Sequence, residues 1–426
     1  MFCNLAWTMA KQARPGCHAL LLLFLALLFV MPQAFSQSTT SNGFRIILKF
    51  TGPNGANPNS VTLDGAGNLY GTTFYGGDSS CNFLGPGCGT VFKLNLAGTE
   101  TVLYRFTGAN GDGVGPIASL VFDSSGNIYG ITEFGGDLSC NAPNGCGTVF
   151  RVDPSGNETI LHAFTGSPDG ELPLGRLAMD ADGNLYGTTG VGGMGYGTVY
   201  KIDSSGTETV FHSFSGSDGS FPEAGVILDS AGNLYGTTAE GGTGCQNPAG
   251  CGVVFKLDSD GNETILHAFT GGADGSSPAA ELLRDPMGSF YGTASGGGNL
   301  NRCVGFGCGT IFKLDTNGNV TVLYSFSGRA DGAYPQAPLV RDPAGNFYST
   351  TSEGGQFNCP MLIGCGTIFR LDPYGTLATL YELHGSDGAL PQDIVRDAGG
   401  NLYGATPYAL TYKGDVFQYR MLPAPQ

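Results

Sequence analysis

The stretch Asp-Gly-Ala-Gly-Asn-Leu-Tyr-Gly-Thr-Thr at residues 64–73 decides the fold, because the chain contains it in seven closely similar copies. The copies vary at single positions, as where Ser289 replaces the asparagine. They begin at Asp64, Asp123, Asp180, Asp229, Asp285, Asp342 and Asp397. The asparagine position runs from 68 to 401 in six steps, a mean period of about 55 residues, which indicates a repeat architecture.

Each repeat predicts four short strands. In the second repeat these are Ser119–Phe122, Asn127–Thr132, Gly147–Val152 and Glu158–Phe164, rich in β-branched and aromatic residues. Asp-x-x-Gly joins the first strand to the second and the third to the fourth, which is the chemistry of tight hairpins. Seven such antiparallel units predict an all-β fold, a seven-bladed β-propeller, whereas a solenoid would need shorter repeats and capping units.

The two ends of the repeat region predict how the ring closes. Residues 45–52 match the fourth strand of a repeat, as in residues 101–108, whereas the last repeat stops after its third strand near Tyr419. We therefore expect the N-terminal strand to complete the seventh blade and to cover edges that would otherwise be exposed.

The first 36 residues have the features of a secretory signal peptide. Lys11 and Arg14 precede the apolar run 19–30, and Ala34-Phe35-Ser36 is typical of a cleavage site. This predicts a signal peptide at residues 1–36, a single propeller domain at residues 37–426, and a secreted or cell-surface protein. No membrane span is expected after cleavage, and a monomer is favoured.

Charge and composition exclude some partners. After residue 36 the chain has 35 acidic and 17 basic residues (19 minus Lys11 and Arg14), so it would repel nucleic acid. Glycine accounts for 72 of 426 residues, and its fixed places in every repeat indicate turns rather than flexibility. The unknown partner is therefore expected to be an extracellular ligand such as a glycan or a protein.

The repeat resembles the Gloeo/Verruco (GloVer) tandem repeat proteins, which are exported bacterial proteins. Their units have the pattern found here at Gly67–Thr73, Gly76-Gly77 and Gly89–Leu94, and the resemblance covers about residues 59–419. It implies an exported location and a repeat architecture, and it brings no established activity.

Ten cysteines remain after the signal peptide, and they fall in pairs within one loop of the repeat. Both members of a pair are absent from the third and seventh repeats, which for an exported chain predicts five local disulfides. The spacings, without a histidine nearby, do not suit zinc. The pairs are Cys81 with Cys88, Cys140 with Cys146, Cys245 with Cys251, Cys303 with Cys308, and Cys359 with Cys365.

A second motif, Asp-Gly-x-x-Pro, joins each fourth strand to the next first strand. We call its first residues the aspartate ring: Asp112, Asp169, Asp218, Asp274, Asp331 and Asp387, with Asn54 in the N-terminal copy. The ring is expected on the same face as the cysteine loops, where it would bind a cationic or polyhydroxylated ligand. The alternative is plain turn chemistry. Calcium is an open alternative to having no cofactor, although it needs 6–8 oxygen ligands from cooperating blades.

No catalytic residue is predicted. His162, His212 and His267 share one fourth-strand position with Tyr104, Tyr324, Tyr381 and Leu48, which indicates packing. The sequence favours a secreted, disulfide-stabilised scaffold that binds a ligand without catalysis. The alternatives are a polysaccharide hydrolase or lyase with carboxylates in the central mouth, and a purely structural surface protein. Catalysis would require one blade to depart from the pattern with an inward-facing polar residue.

Overall fold

The computed structural model describes residues 43–81, 85–355, 364–408 and 413–421. The predicted signal peptide, residues 1–36, lies outside the described residues. Within them, no helix has the length and apolar character needed to cross a membrane.

The described residues form seven antiparallel sheets arranged as the blades of a propeller, which confirms the predicted fold. Blades 1 and 2 contain β2 (Ala56–Leu63), β3 (Leu69–Tyr75), β4 (Thr90–Leu94), β5 (Glu100–Arg105), β6 (Gly113–Phe122), β7 (Ile128–Gly135), β8 (Thr148–Val152) and β9 (Glu158–Ala163). Blade 3 contains β10 (Gly170–Pro173), β11 (Ala178–Met179), β12 (Leu185–Gly192), β13 (Thr198–Ile202) and β14 (Glu208–Ser213), where β10 and β11 are two parts of the first strand.

The remaining blades follow the same order. Blades 4 and 5 contain β15 (Ile227–Leu228), β16 (Leu234–Thr238), β17 (Val253–Leu257), β18 (Glu263–Ala268), β19 (Leu283–Arg284), β20 (Phe290–Ala294), the 3-10 turn Cys303–Gly305, β21 (Thr310–Leu314) and β22 (Val320–Ser325). Blades 6 and 7 contain β23 (Val340–Arg341), β24 (Phe347–Thr351), β25 (Thr367–Leu371), β26 (Leu377–Glu382), β27 (Val395–Arg396), β28 (Leu402–Thr406) and β29 (Asp415–Tyr419).

The ring closes through the N-terminal strand, as predicted. Strand β1 (Phe44–Lys49) pairs antiparallel with β29 as the outermost strand of blade 7, with Phe44 opposite Tyr419. The Phe44 ring stacks on Tyr381 of blade 6 with the centroids 4.0 Å apart. Blade 7 thus consists of strands from both ends of the described chain.

Aromatic pairs join neighbouring blades at six of the seven junctions, and Leu383 takes the aromatic position between blades 6 and 7. Phe106, just after the fourth strand of blade 1, packs edge-on against Phe150 in the third strand of blade 2, at 5.0 Å between centroids, and both are fully buried. Equivalent pairs recur around the ring: Phe50–Phe92, Phe164–Tyr200, Phe214–Phe255, Phe269–Phe312 and Phe326–Phe369. Because this contact repeats, the hydrophobic core lies between blades rather than in one central cluster.

The glycine of Tyr-Gly-Thr makes room for these rings. A Cβ added at Gly71 would lie 2.6 Å from the ring of Phe92. The glycine therefore allows the second strand to approach the buried aromatic residue of the third strand.

Candidate functional site

The aspartate ring lies in the connections between blades, where its carboxylates bind their own loops. Asp112 is only 8% exposed. Its Oδ2 accepts hydrogen bonds from the Thr107 amide and hydroxyl, both at 2.7 Å, and its Oδ1 accepts one from the Gly113 amide. Asp169, Asp274 and Asp331 likewise accept hydrogen bonds from the amide and hydroxyl of a threonine or serine four residues earlier.

The remaining ring positions use the same chemistry. Asp218 accepts from the amide and hydroxyl of Ser215, Asp387 from the amide of His384, and Asn54 Oδ1 from the amide and hydroxyl of Thr51. These bonds explain why the motif repeats, and they occupy oxygen atoms that a ligand would need. Ligand or calcium binding by the ring stays a prediction.

The fourth-strand position that holds histidine or tyrosine in most repeats faces the aspartate ring. The Tyr104 hydroxyl lies 3.2 Å from Asp112, the Tyr324 hydroxyl lies 3.1 Å from Asp331, and Tyr381 hydrogen-bonds Asp387. In other blades histidine Nε2 takes this place, at 3.1 Å from Asp169 for His162 and 3.2 Å from Asp274 for His267. The residues at this position thus bind the ring aspartates in addition to packing.

Two of these connections gather a third side chain and could hold a metal ion. They combine His162, Asp169 and Glu208, and His212, Asp218 and Glu263, with one ligand atom of each residue within 4.8 Å of the others. The sequence pattern did not bring the two glutamates to these loops, because each begins the fourth strand of the following blade.

Disulfides fix the loops beside the ring. Bridges join Cys81 to Cys88, Cys140 to Cys146, Cys245 to Cys251, and Cys303 to Cys308. Cys365 is also disulfide-bonded, and its predicted partner Cys359 lies outside the described residues.

The carbonyl of the second cysteine connects each loop to the next blade. It accepts a hydrogen bond from the residue before the proline of Asp-Gly-x-x-Pro, for example Cys308 from the Tyr334 amide at 2.9 Å. That residue has a left-handed backbone in every blade, with φ of 54° at Tyr334. Tyr196 and Lys413 provide the carbonyl where a blade lacks cysteines. The cystine loops are therefore part of the contact between blades.

The Asp-x-x-Gly-Asn hairpins at the opposite end of each blade are structural. Asp123 Oδ1 accepts hydrogen bonds from the amides of Ser125 and Asn127, and Oδ2 accepts from the Asn127 side chain and the Tyr129 hydroxyl. These bonds favour the ionised form against the cost of burial, so the pKa of Asp123 is lowered.

A central channel is lined by residues in or just before the first strand of all seven blades. Its upper cavity of about 470 Å³ lies toward the Asp-Gly-x-x-Pro end. We call the residues that follow the motif's proline the upper layer: Asn59, Ile117, Leu174, Glu223, Ala279, Gln336 and Gln392. We call the residues four positions before the hairpin aspartate the channel girdle: Ser60, Ser119, Arg176, Gly225, Glu281, Pro338 and Asp393.

The channel girdle is where the blades stop resembling one another. Three of its seven members are charged, namely Arg176, Glu281 and Asp393. Arg176 and Glu281 also line the two cavities of about 750 and 360 Å³ below the girdle. These two side chains therefore line cavities on both sides of the girdle.

The charged girdle residues interact across blades. Arg176 Nη1 lies 3.9 Å from Glu281 Oε2, with the side chains 42% and 26% exposed. Asp393 is buried, and its Oδ2 accepts a 2.9 Å hydrogen bond from the Ser119 hydroxyl while Oδ1 accepts from the Ile394 amide. The girdle thus presents one guanidinium and two carboxyl groups.

Burial makes the channel carboxyl groups hard to ionise. It raises the pKa of Glu281 against the attraction of Arg176, and the nearby Asp393 raises it further. Burial likewise raises the pKa of Asp393, against the hydrogen bonds from Ser119, Ile394 and Val61. In the upper layer, burial and then the charge of Glu240 raise the pKa of Glu223 to about 7.

Sequence reasoning placed the candidate site in the Asp-Gly-x-x-Pro motif and missed the channel girdle. The signal was present, because one position of an otherwise regular strand varies among Ser, Arg, Gly, Glu, Pro and Asp. Aligning the seven repeats on their hairpin aspartates would have found this variable position. A search for residues that all repeats share finds the turn motifs instead.

Comparisons with known proteins agree with this architecture. The family model described as Gloeobacter/Verrucomicrobia repeat matches residues 33–248 and 228–423. No curated protein matches the sequence.

Solved structures resemble the fold at low sequence identity. A catalytically inactive virginiamycin B lyase from Staphylococcus aureus is 14% identical with a TM-score of 0.58, covering 89% of this chain and 99% of the lyase. The extracellular domain of a hybrid two-component system from B. thetaiotaomicron is 12% identical with a TM-score of 0.55, covering 90% of this chain and 40% of that one. A fungal alcohol oxidase in complex with copper is 14% identical with a TM-score of 0.55, covering 87% and 74%. These likenesses concern the fold alone.

Proposed function

This chain belongs to the Gloeobacter/Verrucomicrobia repeat family, and we propose that it is an extracellular propeller that binds a polyhydroxylated ligand, the end of a glycan, in its central channel. Disulfide bonds at four described loops support an oxidising compartment, as does the predicted signal peptide.

The observation that carries this proposal is the channel girdle. Selection for folding alone would favour equivalent residues in equivalent blades, as in the hairpins and the aspartate ring. Instead, Arg176, Glu281 and Asp393 occur once each and line one shared cavity. Single polar groups that converge on a cavity are typical of a ligand site.

The chemistry of the lining favours a polyhydroxylated ligand. Hydroxyl groups both donate and accept hydrogen bonds, and the channel offers a guanidinium donor, carboxyl acceptors and the amides of Asn59, Gln336 and Gln392. Carboxyl groups outnumber the single arginine at the girdle, which disfavours phosphorylated ligands. The upper cavity of about 470 Å³ is within the range of small-molecule sites.

A polysaccharide hydrolase or lyase is the second candidate. The observation that favours it is the raised pKa of both Glu281 and Asp393, since a carboxyl group that retains its proton can act as a general acid. Arg176 lies near both carboxyl groups, and Asp393 accepts a hydrogen bond from Ser119. This arrangement suits ligand binding better than proton transfer by Glu281 and Asp393.

The test is a glycan array probed with the exported protein and with two channel variants. We expect Arg176→Ala and Glu281→Gln to lose at least about tenfold in affinity for any bound glycan, which corresponds to the loss of about 1.4 kcal/mol. The control is Glu100→Gln, the same carboxyl-to-amide change at a blade junction away from the channel.

Two results would contradict the proposal: no glycan bound by the exported protein, or unchanged binding by both channel variants. Mass spectrometry of the bound glycan separates the two candidates. Cleaved product that disappears in Glu281→Gln would favour the hydrolase or lyase.

A further inference from the structure

The seven blade junctions share a three-residue set at the outer strands. Each set has a fourth-strand residue, the aspartate ring residue that follows it, and the first residue of the next fourth strand. In order they are Leu48–Asn54–Glu100, Tyr104–Asp112–Glu158, His162–Asp169–Glu208, His212–Asp218–Glu263, His267–Asp274–Val320, Tyr324–Asp331–Leu377 and Tyr381–Asp387–Phe44. Only the third and fourth junctions combine histidine, aspartate and glutamate.

The His212 junction is the more open of these two. His212 Nε2 lies 3.5 Å from Asp218 Oδ2 and 3.8 Å from Glu263 Oε2. Ligands held about 2.0–2.1 Å from a tetrahedral zinc ion lie about 3.3 Å from one another. The two distances from His212 are slightly longer than this spacing, and all three ligand atoms lie within 4.8 Å of one another.

Two polar atoms at this junction lack a hydrogen bond within the described residues. Glu263 Oε1 is one of them, in a side chain that is only 10% exposed. The other is His212 Nε2, which has only the two longer contacts with Asp218 and Glu263. A buried polar atom without a hydrogen bond is unfavourable, so these two atoms require an explanation. A bound cation would satisfy both.

We propose that His212, Asp218 and Glu263 bind a divalent transition-metal ion of the zinc class. One imidazole and two carboxylates form a ligand set that suits zinc, whereas calcium takes oxygen ligands and would not use the histidine. The three protein ligands leave a fourth position for water.

The position of this junction suggests what the ion does. His212 lies in the fourth strand of blade 3, and Asp218 follows that strand. The loop of blade 3 has no cysteines, and the Tyr196 carbonyl takes the place of a cysteine carbonyl there. Glu263 begins the fourth strand of blade 4. A metal bound by all three would link blades 3 and 4 at one of the two junctions where the preceding blade has no cysteine loop.

The neighbouring His162 junction has the same residues in a more closed arrangement. His162 Nε2 already contacts Asp169 Oδ2 at 3.1 Å, although the buried Glu208 Oε1 makes no hydrogen bond to any described residue. A metal would have to displace this hydrogen bond, so we expect it to bind there more weakly.

The test measures zinc binding by the exported protein. Isothermal titration calorimetry gives the zinc affinity, and the visible spectrum of cobalt added in place of zinc reports the ligands of the site. The variant is His212→Tyr, which reproduces the Tyr104 junction and so preserves a hydrogen bond to the aspartate. We expect His212→Tyr to remove the tightest zinc site. Loss of a residue that only supports a metal ligand lowers affinity roughly 10–100-fold, so the loss of a direct ligand should exceed this. Zinc should also raise the melting temperature of the parent protein more than that of the variant.

The matched control is His267→Tyr, at the junction where Val320 replaces the glutamate. It should leave the tightest zinc site unchanged. Equal zinc affinity in the parent protein and His212→Tyr would overturn the proposal, as would the absence of zinc binding by a parent protein that is folded by circular dichroism. Glu263→Gln provides a second variant, which should reduce affinity while keeping the side-chain volume.

Discussion

The blade junctions and the central channel use polar residues in opposite ways. At the junctions one aspartate recurs in nearly every blade, and its oxygen atoms accept hydrogen bonds from the adjacent loop, as Asp112 does from Thr107 and Gly113. In the channel girdle the charged residues do not recur, and Arg176 and Glu281 face cavities instead of turns. In a repeat protein, recurrence therefore indicates a folding requirement, whereas departure from the repeat indicates a site.

The largest expected effect concerns the closed ring of blades, on which both the junctions and the channel depend. Deleting residues 45–52 removes β1, its pairing with β29 and the Phe50–Phe92 contact. We expect the cooperative thermal transition to be lost, because the exposed edge of β29 leaves the ring open. Calorimetry of the deletion variant is the measurement. An unchanged melt would show that the ring does not need closing by this strand.

A pair of single substitutions tests the contrast directly. Asp112→Ala should lower the free energy of unfolding by about 2–4 kcal/mol, because the buried Gly113 amide and the partly buried Thr107 amide lose their acceptor. Arg176→Ala should change it by less than about 1 kcal/mol, because its ion pair is long and partly exposed. Urea unfolding measures both. Equal losses would remove the distinction between a structural ring and a functional girdle.

The smallest effect is the pH dependence contributed by Glu223 in the channel. Its pKa is raised from 4.5 to about 7 in the folded protein, so the folded state holds this proton more tightly than the unfolded chain does. The associated stability is present below pH 4.5 and is lost as the pH rises to about 7. Glu223→Gln should therefore be more stable than the parent above pH 7, by on the order of 1 kcal/mol.

Urea unfolding at several pH values between 4.5 and 8 checks this expectation. Parallel pH profiles for the parent protein and Glu223→Gln would contradict it. The hairpin aspartates provide the opposite case, since the lowered pKa of Asp123 predicts stability that is lost as the pH falls.

The ring of blades was predictable from sequence because short-range interactions specify its hairpins. A hairpin needs an aspartate that bonds backbone amides within four residues, as Asp64 does with Ala66 and Asn68, and a glycine at positive φ, as Gly67 has at 85°. Repeating such units seven times at a constant period specifies strand count, blade count and, through residues 45–52, ring closure.

The sites were not predictable from the same reasoning, because they join residues distant in sequence. Arg176 and Glu281 approach each other across the channel only when the ring has closed, and Glu263 reaches His212 only because the fourth strands of neighbouring blades meet end to end. Local sequence patterns thus specify the strands, their turns and their number. Tertiary structure alone decided which side chains share a cavity or a junction, since those distances depend on packing seven blades around one axis.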